Sequence, residues 1–215
     1  MKRSVFLTAG LRLAFRLLYN ELAWTYDLVS WGVSAGQWRA WQRAALPYLR
    51  AGPVLDVAHG TGNFLLDLQA AGQAPTGLDL SPAMSRLARR KLRSRGRRIP
   101  LVRGRVQALP FAPSSFGSLV ATFPTEFILD PAAVSEFHRV LRPGGVLVIV
   151  PVAIVTGLAL PDRLARALLV VTDQAAEAWL EPLQSVYQPA GFATRVRRVR
   201  LPRSEVVVIT AEKSR

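Results

Sequence analysis

Short apolar runs bounded by glycine, proline and polar residues alternate along the chain with stretches whose apolar positions recur every three or four residues. The first pattern predicts buried strands and the second amphipathic helices. Val54, Leu55, Val57 and Ala58 surround Asp56 in a first strand, which runs into Gly60-Thr61-Gly62 and a helix over Asn63–Ala71. Ala74–Leu80 is a second strand ending on Asp79. Ser81 then caps a helix with Pro82 at its first position, extending to Ser94. Ile99–Arg103 and Phe116–Thr122 follow as strands, then a helix over Pro131–Leu141 and a fifth strand, Val146–Val150, apolar throughout and so covered on both faces. Helical patterns continue to Tyr187, and Ala190-Gly191-Phe192 introduces a hairpin near 193–201 and 204–212. Upstream, residues 4–22 and Trp38–Leu49 predict helices, the second stopped by Ala51-Gly52-Pro53. Strand and helix alternating over 215 residues predict an α/β fold.

The strand, glycine turn and helix start around Gly60 and Gly62 form a cradle that a ligand can approach closely, because the residues are small. Asp56 places a negative charge beside it, which suits a cationic group and not a pyrophosphate. Asp79, at the tip of the second strand, is placed to accept from ribose hydroxyls. A dinucleotide fingerprint needs a third glycine, and this chain has Asn63 or Leu65 there.

In order and spacing, VLDVAHGTG (54–62), GLDLSPAM (77–84), ALPF (108–111) and RVLRPGG (139–145) resemble the class I S-adenosylmethionine-dependent methyltransferases, and within them the UbiE-like small-molecule group. The resemblance covers Tyr19 to Gly145 well and the remainder loosely. It implies a Rossmann-like, seven-stranded, mostly parallel sheet with an antiparallel last hairpin and helices on both faces. An N-terminal helical cap, 1–50, would precede the methyltransferase domain, 51–215. The cofactor implied is S-adenosyl-L-methionine. By the same resemblance Ala58, His59, Gly60 and Gly62 hold its methionine part, with Asp56 near the ammonium. Asp79 takes the ribose hydroxyls, Leu80 belongs to the same cofactor set, and Met84 backs ribose and adenine. Tyr26, in NELAWTYD, helps close the site, and Thr122-Phe123 faces the methyl.

Three positions depart from the family pattern. Ala58 replaces a glycine, which costs little if its φ is negative. His59 stands where cysteine is frequent and has a structural role in the turn. Arg105 stands in Gly104-Arg105-Val106 where an acid usually accepts from the adenine amino group, and arginine cannot accept. Adenine is then left to the Val106 amide, to Gln107, or to Arg105 stacking over the ring. Glu126, just beyond the fourth strand, is the candidate catalytic base if an apolar pocket raises its pKa. Otherwise it is a helix-start carboxylate, with Asp130 beside Pro131 as the N-cap.

Charge adds a further feature. The net charge is +14, and lysine occurs only at 2, 91 and 213, so nearly all of the 28 basic residues are arginine. No acid lies between Asp79 and Glu126, while Arg86, Arg89, Arg90, Lys91, Arg93, Arg95, Arg97, Arg98, Arg103 and Arg105 do. Such a field suits nucleic acid, anionic lipid or an anionic substrate, or is a solvated face. Arg12 and Arg16 lie one turn apart, opposite Phe6, Leu7, Leu11, Leu17 and Leu18. That helix is a cap on the domain, an amphipathic helix on an anionic membrane, or both. No cleavage site follows the short run Val5–Leu11, so the expected location is cytoplasmic, with peripheral membrane contact as the variation. Pro143–Pro161 is uncharged, but its glycines and Pro151 argue against a spanning helix and for a buried strand followed by an apolar loop or lid, Pro151–Leu160. Trp24, Trp31, Trp38 and Trp41 fall at helical spacing and are expected in the core. With no cysteine and two histidines, no metal site is expected. The expected activity is methyl transfer to a small hydrophobic acceptor at oxygen or carbon. An RNA methyltransferase ranks below it, because TFPT at Thr122–Thr125 is no Asn-Pro-Pro-Tyr-like tetrad. A non-catalytic cofactor-binding or membrane-associated protein is the alternative that Arg105 motivates.

Overall fold

Five parallel strands carry the architecture: β1 (Pro53–Val57), β2 (Ala74–Asp79), β3 (Leu101–Arg103), β4 (Phe116–Thr122) and β5 (Leu141–Val150). They are seen in a computed structural model that describes residues 25–171 and 176–214. Across the sheet they lie in the order β3-β2-β1-β4-β5. Two short helices, α1 (Tyr26–Val33) and α2 (Trp38–Arg43), precede them. The crossovers are α3 (Asn63–Ala70), α4 (Pro82–Ser94) and α5 (Pro131–Val140). Beyond β5 come β6 (Ala153–Val155), α6 (Leu160–Val171), α7 (Ala176–Tyr187), β7 (Phe192–Leu201) and β8 (Ser204–Lys213). Strand β8 runs antiparallel to β5 and β6 along one side and to β7 along the other.

Among the described residues the sheet therefore has eight strands where seven were expected. The extra one, β6, continues past β5 along β8 after a break at Pro151-Val152. The expected apolar loop thus contains a strand, and its Ala153 and Val155 are buried. Strand β5 begins earlier than the apolar run, at Leu141, because Leu141 pairs with Phe116 before the register shifts to Ser118 opposite Val146. The single helix expected over Trp38–Leu49 stops at Arg43, and a 3₁₀ turn at Leu46–Tyr48, with Pro47 inside it, takes over. The expected helix over 4–22, with Arg12, Arg16, Leu17 and Leu18, lies outside the described residues, as does Trp24.

Alternation along the strands feeds two cores. Leu55, Val57, Leu119, Ala121, Leu147 and Ile149 pack on α5 and α7, while Val54, Val120, Val146 and Val148 pack on α2, α3 and α4. Ser81 accepts from the Met84 amide and Asp130 from the Ala132 amide, so both expected N-caps form. Trp41 is buried, and its indole N–H donates to Ser204 at 2.8 Å. Arg39 grips buried Asp67 with two bonds of 2.8 Å, pinning α2 to α3. Crossovers leave β1 and β4 in opposite directions, which opens a crevice at their carboxyl ends.

Candidate functional site

The crevice is floored by the turn after β1. Ala58, Gly60 and Gly62 all have positive φ, at 60°, 55° and 79°. This corrects the expectation for Ala58: its φ is left-handed, so a Cβ is carried where glycine would be unstrained. Gly62 is required by a close approach, since a Cβ there would lie 2.9 Å from that of Ala88 on α4. At Gly60 a Cβ would meet nothing within 4 Å, so this side of the turn faces open space.

His59 underpins the turn. Its Nδ1 lies 2.8 Å from the Gly60 carbonyl, which only accepts, so Nδ1 carries the proton. The ring lies over Gly77, where a Cβ would come within 2.7 Å of it. Burial holds the imidazole below its usual pKa despite the opposing pull of Asp79, so it is neutral at neutral pH. Asp79 is fixed by two amides: Gly60 N–H donates to Oδ2 at 2.9 Å and Ser81 N–H to Oδ1 at 2.7 Å. Each oxygen keeps a lone pair for a ligand hydroxyl. Asp56 is buried with Oδ2 unpartnered, and burial, with Asp79 adding to it, raises its pKa well above the carboxylate range. A cation placed there would restore its charge.

Over the turn lies α1. Tyr26 packs on Ala83 and Met84 and meets Trp38 edge-on at 6.4 Å. Asp27 accepts from Thr61 at 2.6 Å, Asn63 at 3.0 Å and Lys91 at 2.6 Å. Lys91 also donates to Asn63 Oδ1 at 2.6 Å and Thr61 at 3.1 Å. Burial alone would raise the Asp27 pKa, but these bonds outweigh it and hold it below the usual value. This latch joins α1, the glycine turn and α4. It went unread in the sequence, although Lys91 stands out there as the one lysine in a run of arginines.

The other expected residues divide. Thr122 ends β4 and accepts from Gln42 at 3.0 Å, and Phe123 stacks on Trp38 with ring centres 4.1 Å apart. Val106 is buried, Leu80 is exposed and Arg105 is exposed on the loop after β3. The Gln107 amide nitrogen is taken by Asp130 at 2.8 Å, so it is not free for adenine. Glu126 begins a 3₁₀ turn, Glu126–Leu129, and is exposed among the described residues. Trp38 and Trp41 pack as expected, but Trp31 is 64% exposed.

A family model described as a methyltransferase domain matches residues 54–145. A demethylmenaquinone methyltransferase from a Mycobacterium species is 33% identical over 195 residues, covering 83% of this chain and 81% of its own length. The chain belongs to the UbiE-like class I S-adenosylmethionine-dependent methyltransferases. A second demethylmenaquinone methyltransferase of the family, from Thermus thermophilus, is 36% identical over 138 residues, 61% of this chain and 63% of its own length. The chain thus spans less than two thirds of that relative. A solved structure described as an S-adenosylmethionine-dependent methyltransferase, from Methanosarcina mazei, shares the methyltransferase fold. It has a TM-score of 0.56 and 23% identity, over 78% of this chain and 95% of that one.

The cofactor of this methyltransferase family is S-adenosylmethionine, and the residues fit it. The open side of Gly60 admits a ligand against the backbone, Asp56 Oδ2 is buried with no partner among the described residues and suits an ammonium, and the anchored Asp79 carboxylate has acceptor capacity left. Ala58 to Gly62 could hold the amino-acid part, Asp79 the ribose, and Met84 with Val106 the adenine.

Proposed function

We propose that the protein transfers a methyl group to a small hydrophobic acceptor of the quinol type, at a ring carbon. The bound cofactor supplies an electrophilic methyl on a sulfonium, displaced in line with release of a neutral thioether. The protein's task is placement and exclusion of water, an effect of roughly 7–11 kcal/mol when orientation is good. Asp79 and Asp56 hold the donor side, while Thr122, Phe123 and Trp38 border the acceptor side. Glu126 takes the acceptor's hydroxyl proton, so that the ring becomes a better nucleophile. Once the C–CH3 bond has formed, the hydrogen on that ring carbon leaves as a proton and the hydroxyl is restored, so that one proton is released overall.

The carrying observation is the pair of carboxylates at the ends of β1 and β2, Asp79 anchored by two amides and buried Asp56 with its Oδ2 unpartnered among the described residues, in a crevice bordered by Phe123 and Trp38. Similarity to demethylmenaquinone methyltransferases supports the acceptor class. The test is incubation with isotopically methyl-labelled cofactor and a demethylated naphthoquinol, with the product located by NMR. Label on a ring carbon is expected; label on oxygen, or none, overturns the reading. Glu126→Gln should lower kcat about tenfold with cofactor affinity unchanged.

A further inference from the structure

Methyl transfer leaves the outer face of α4 without a task. Arg86, Arg89, Arg90 and Arg93 recur there at one-turn spacing, and Arg103 of β3 joins them. With Pro82 and Ser85 they line an open groove of about 450 Å³. Among the described residues no carboxylate pairs with any of the five guanidinium groups. Like charges one turn apart oppose helix formation, so the stripe gains from an anion laid along it.

The groove has an apolar neighbour. Helix α1 lies against α4 through Tyr26 and Asp27, and it also packs on α6. It presents Leu28 and Trp31 to solvent, at 69% and 64% exposure, and α6 presents Leu160 and Leu164 at 68% and 58%. Exposed Arg163 stands between these two leucines.

We propose that this face docks on an anionic phospholipid bilayer. The arginines engage lipid phosphates through paired N–H groups, while the tryptophan and leucines enter the interface beside them. A nucleic-acid strand suits the face less: the groove holds no aromatic ring to stack on bases and no amide to read them, and the leucines would stay in water. The inference rests on the proposed hydrophobic acceptor for its purpose, since a lipid-dissolved acceptor then arrives at the site under α1 without crossing water.

The test is co-sedimentation of the full chain with phosphatidylcholine vesicles, with and without phosphatidylglycerol, over a range of salt and with single-stranded RNA as competitor. Binding should require phosphatidylglycerol and fall with salt. It should weaken roughly tenfold or more in Arg86→Gln/Arg90→Gln/Arg93→Gln. Leu160→Ser/Leu164→Ser should bind at low salt but release at lower salt than the parent. No binding at low salt, equal binding by the arginine variant, or capture by RNA in place of vesicles overturns the proposal. Calorimetry with S-adenosylhomocysteine separates the two readings. Vesicle binding without cofactor binding overturns methyl transfer alone, and cofactor binding without vesicle binding overturns docking alone.

Discussion

On the β1–β2 side of the crevice most polar groups are tied down, Asp56 Oδ2 being the exception among the described residues. Asp79 is held by two amides, His59 by the Gly60 carbonyl, and Asp27 by three donors that bind α1 to the turn. On the β4–β5 side the contacts are aromatic and apolar: Phe123 on Trp38, Trp41 against both, and an exposed carboxylate at Glu126. The first side is built before any ligand arrives, as a shared donor molecule of constant shape requires. The second is a surface of shape and hydrophobicity, which one acceptor can exchange for another with few polar groups to satisfy. In the proposed function, rigid hydrogen bonding serves the donor and adaptable packing the acceptor.

The hardest blow to this contrast is Asp79→Ala. The two anchoring bonds to the turn vanish, together with the two charge-assisted bonds to ribose that the proposed function assigns to Asp79. Affinity for S-adenosylhomocysteine should fall roughly 100-fold by calorimetry, with the fold retained. Unchanged affinity would show that the donor side is not where it is placed here.

Asp56→Asn sharpens the contrast through pH. The folded carboxyl has a pKa well above its unfolded value, so folding disfavours its ionisation. Its burden on stability is absent below the ordinary carboxylate range and grows as pH rises towards the raised folded pKa. The asparagine variant should therefore gain thermal stability over the parent at mildly alkaline pH, and this gain should shrink on acidification. Cofactor affinity should fall about tenfold, because an ammonium no longer meets a charge. Parent binding should release a proton and variant binding should not, as read by calorimetry in buffers of different ionisation enthalpy.

Lys91→Met asks whether the latch serves the donor site or only the fold. Half-exposed ion pairs contribute little, on the order of 1 kcal/mol after solvent screening. A loss of affinity of roughly threefold to tenfold is expected, carried by faster cofactor release in stopped-flow traces. A fall in thermal stability with an unchanged release rate would make the latch purely structural.

Local chemistry explains what could be read from the chain. The run around Asp56, the caps Ser81 and Asp130, and both ends of β4 follow from short-range spacing, and each lies where its residues place it. Long-range pairings were not readable. Leu141 joins β5 only because Phe116 lies opposite, across a register shift that Arg142-Pro143-Gly144-Gly145 conceals as a turn. Ala153–Val155 becomes a strand because β8 extends beyond β5 and offers it an edge. The Asp27–Lys91 pair joins helices 64 residues apart, and no helical spacing rule links them. Trp31 shares its spacing with partly buried Trp38 and buried Trp41 yet faces solvent, because α1 turns another side, with Ser30, to the core.

The smallest expected effect lies at Ala58, where a residue can be argued only from its backbone. Its φ of 60° places Cβ close to the carbonyl oxygen, a cost of roughly 1–2 kcal/mol for an L-residue. Glycine removes that cost but loses about 0.5–1 kcal/mol through the larger freedom of the unfolded chain. The balance favours Ala58→Gly by roughly 0.5–1 kcal/mol, or about 1–4 °C in melting temperature for a chain of this size. The turn is already held by Asp79 on Gly60 and by the Gly62 amide on the His59 carbonyl at 3.0 Å. Cofactor affinity should therefore stay within about twofold of the parent while stability rises. A melting temperature that falls would mean the alanine methyl has a packing role greater than its strain. An affinity that rises severalfold would mean the methyl narrows the cradle, and the donor side would then be less fully built in advance than its hydrogen bonds indicate.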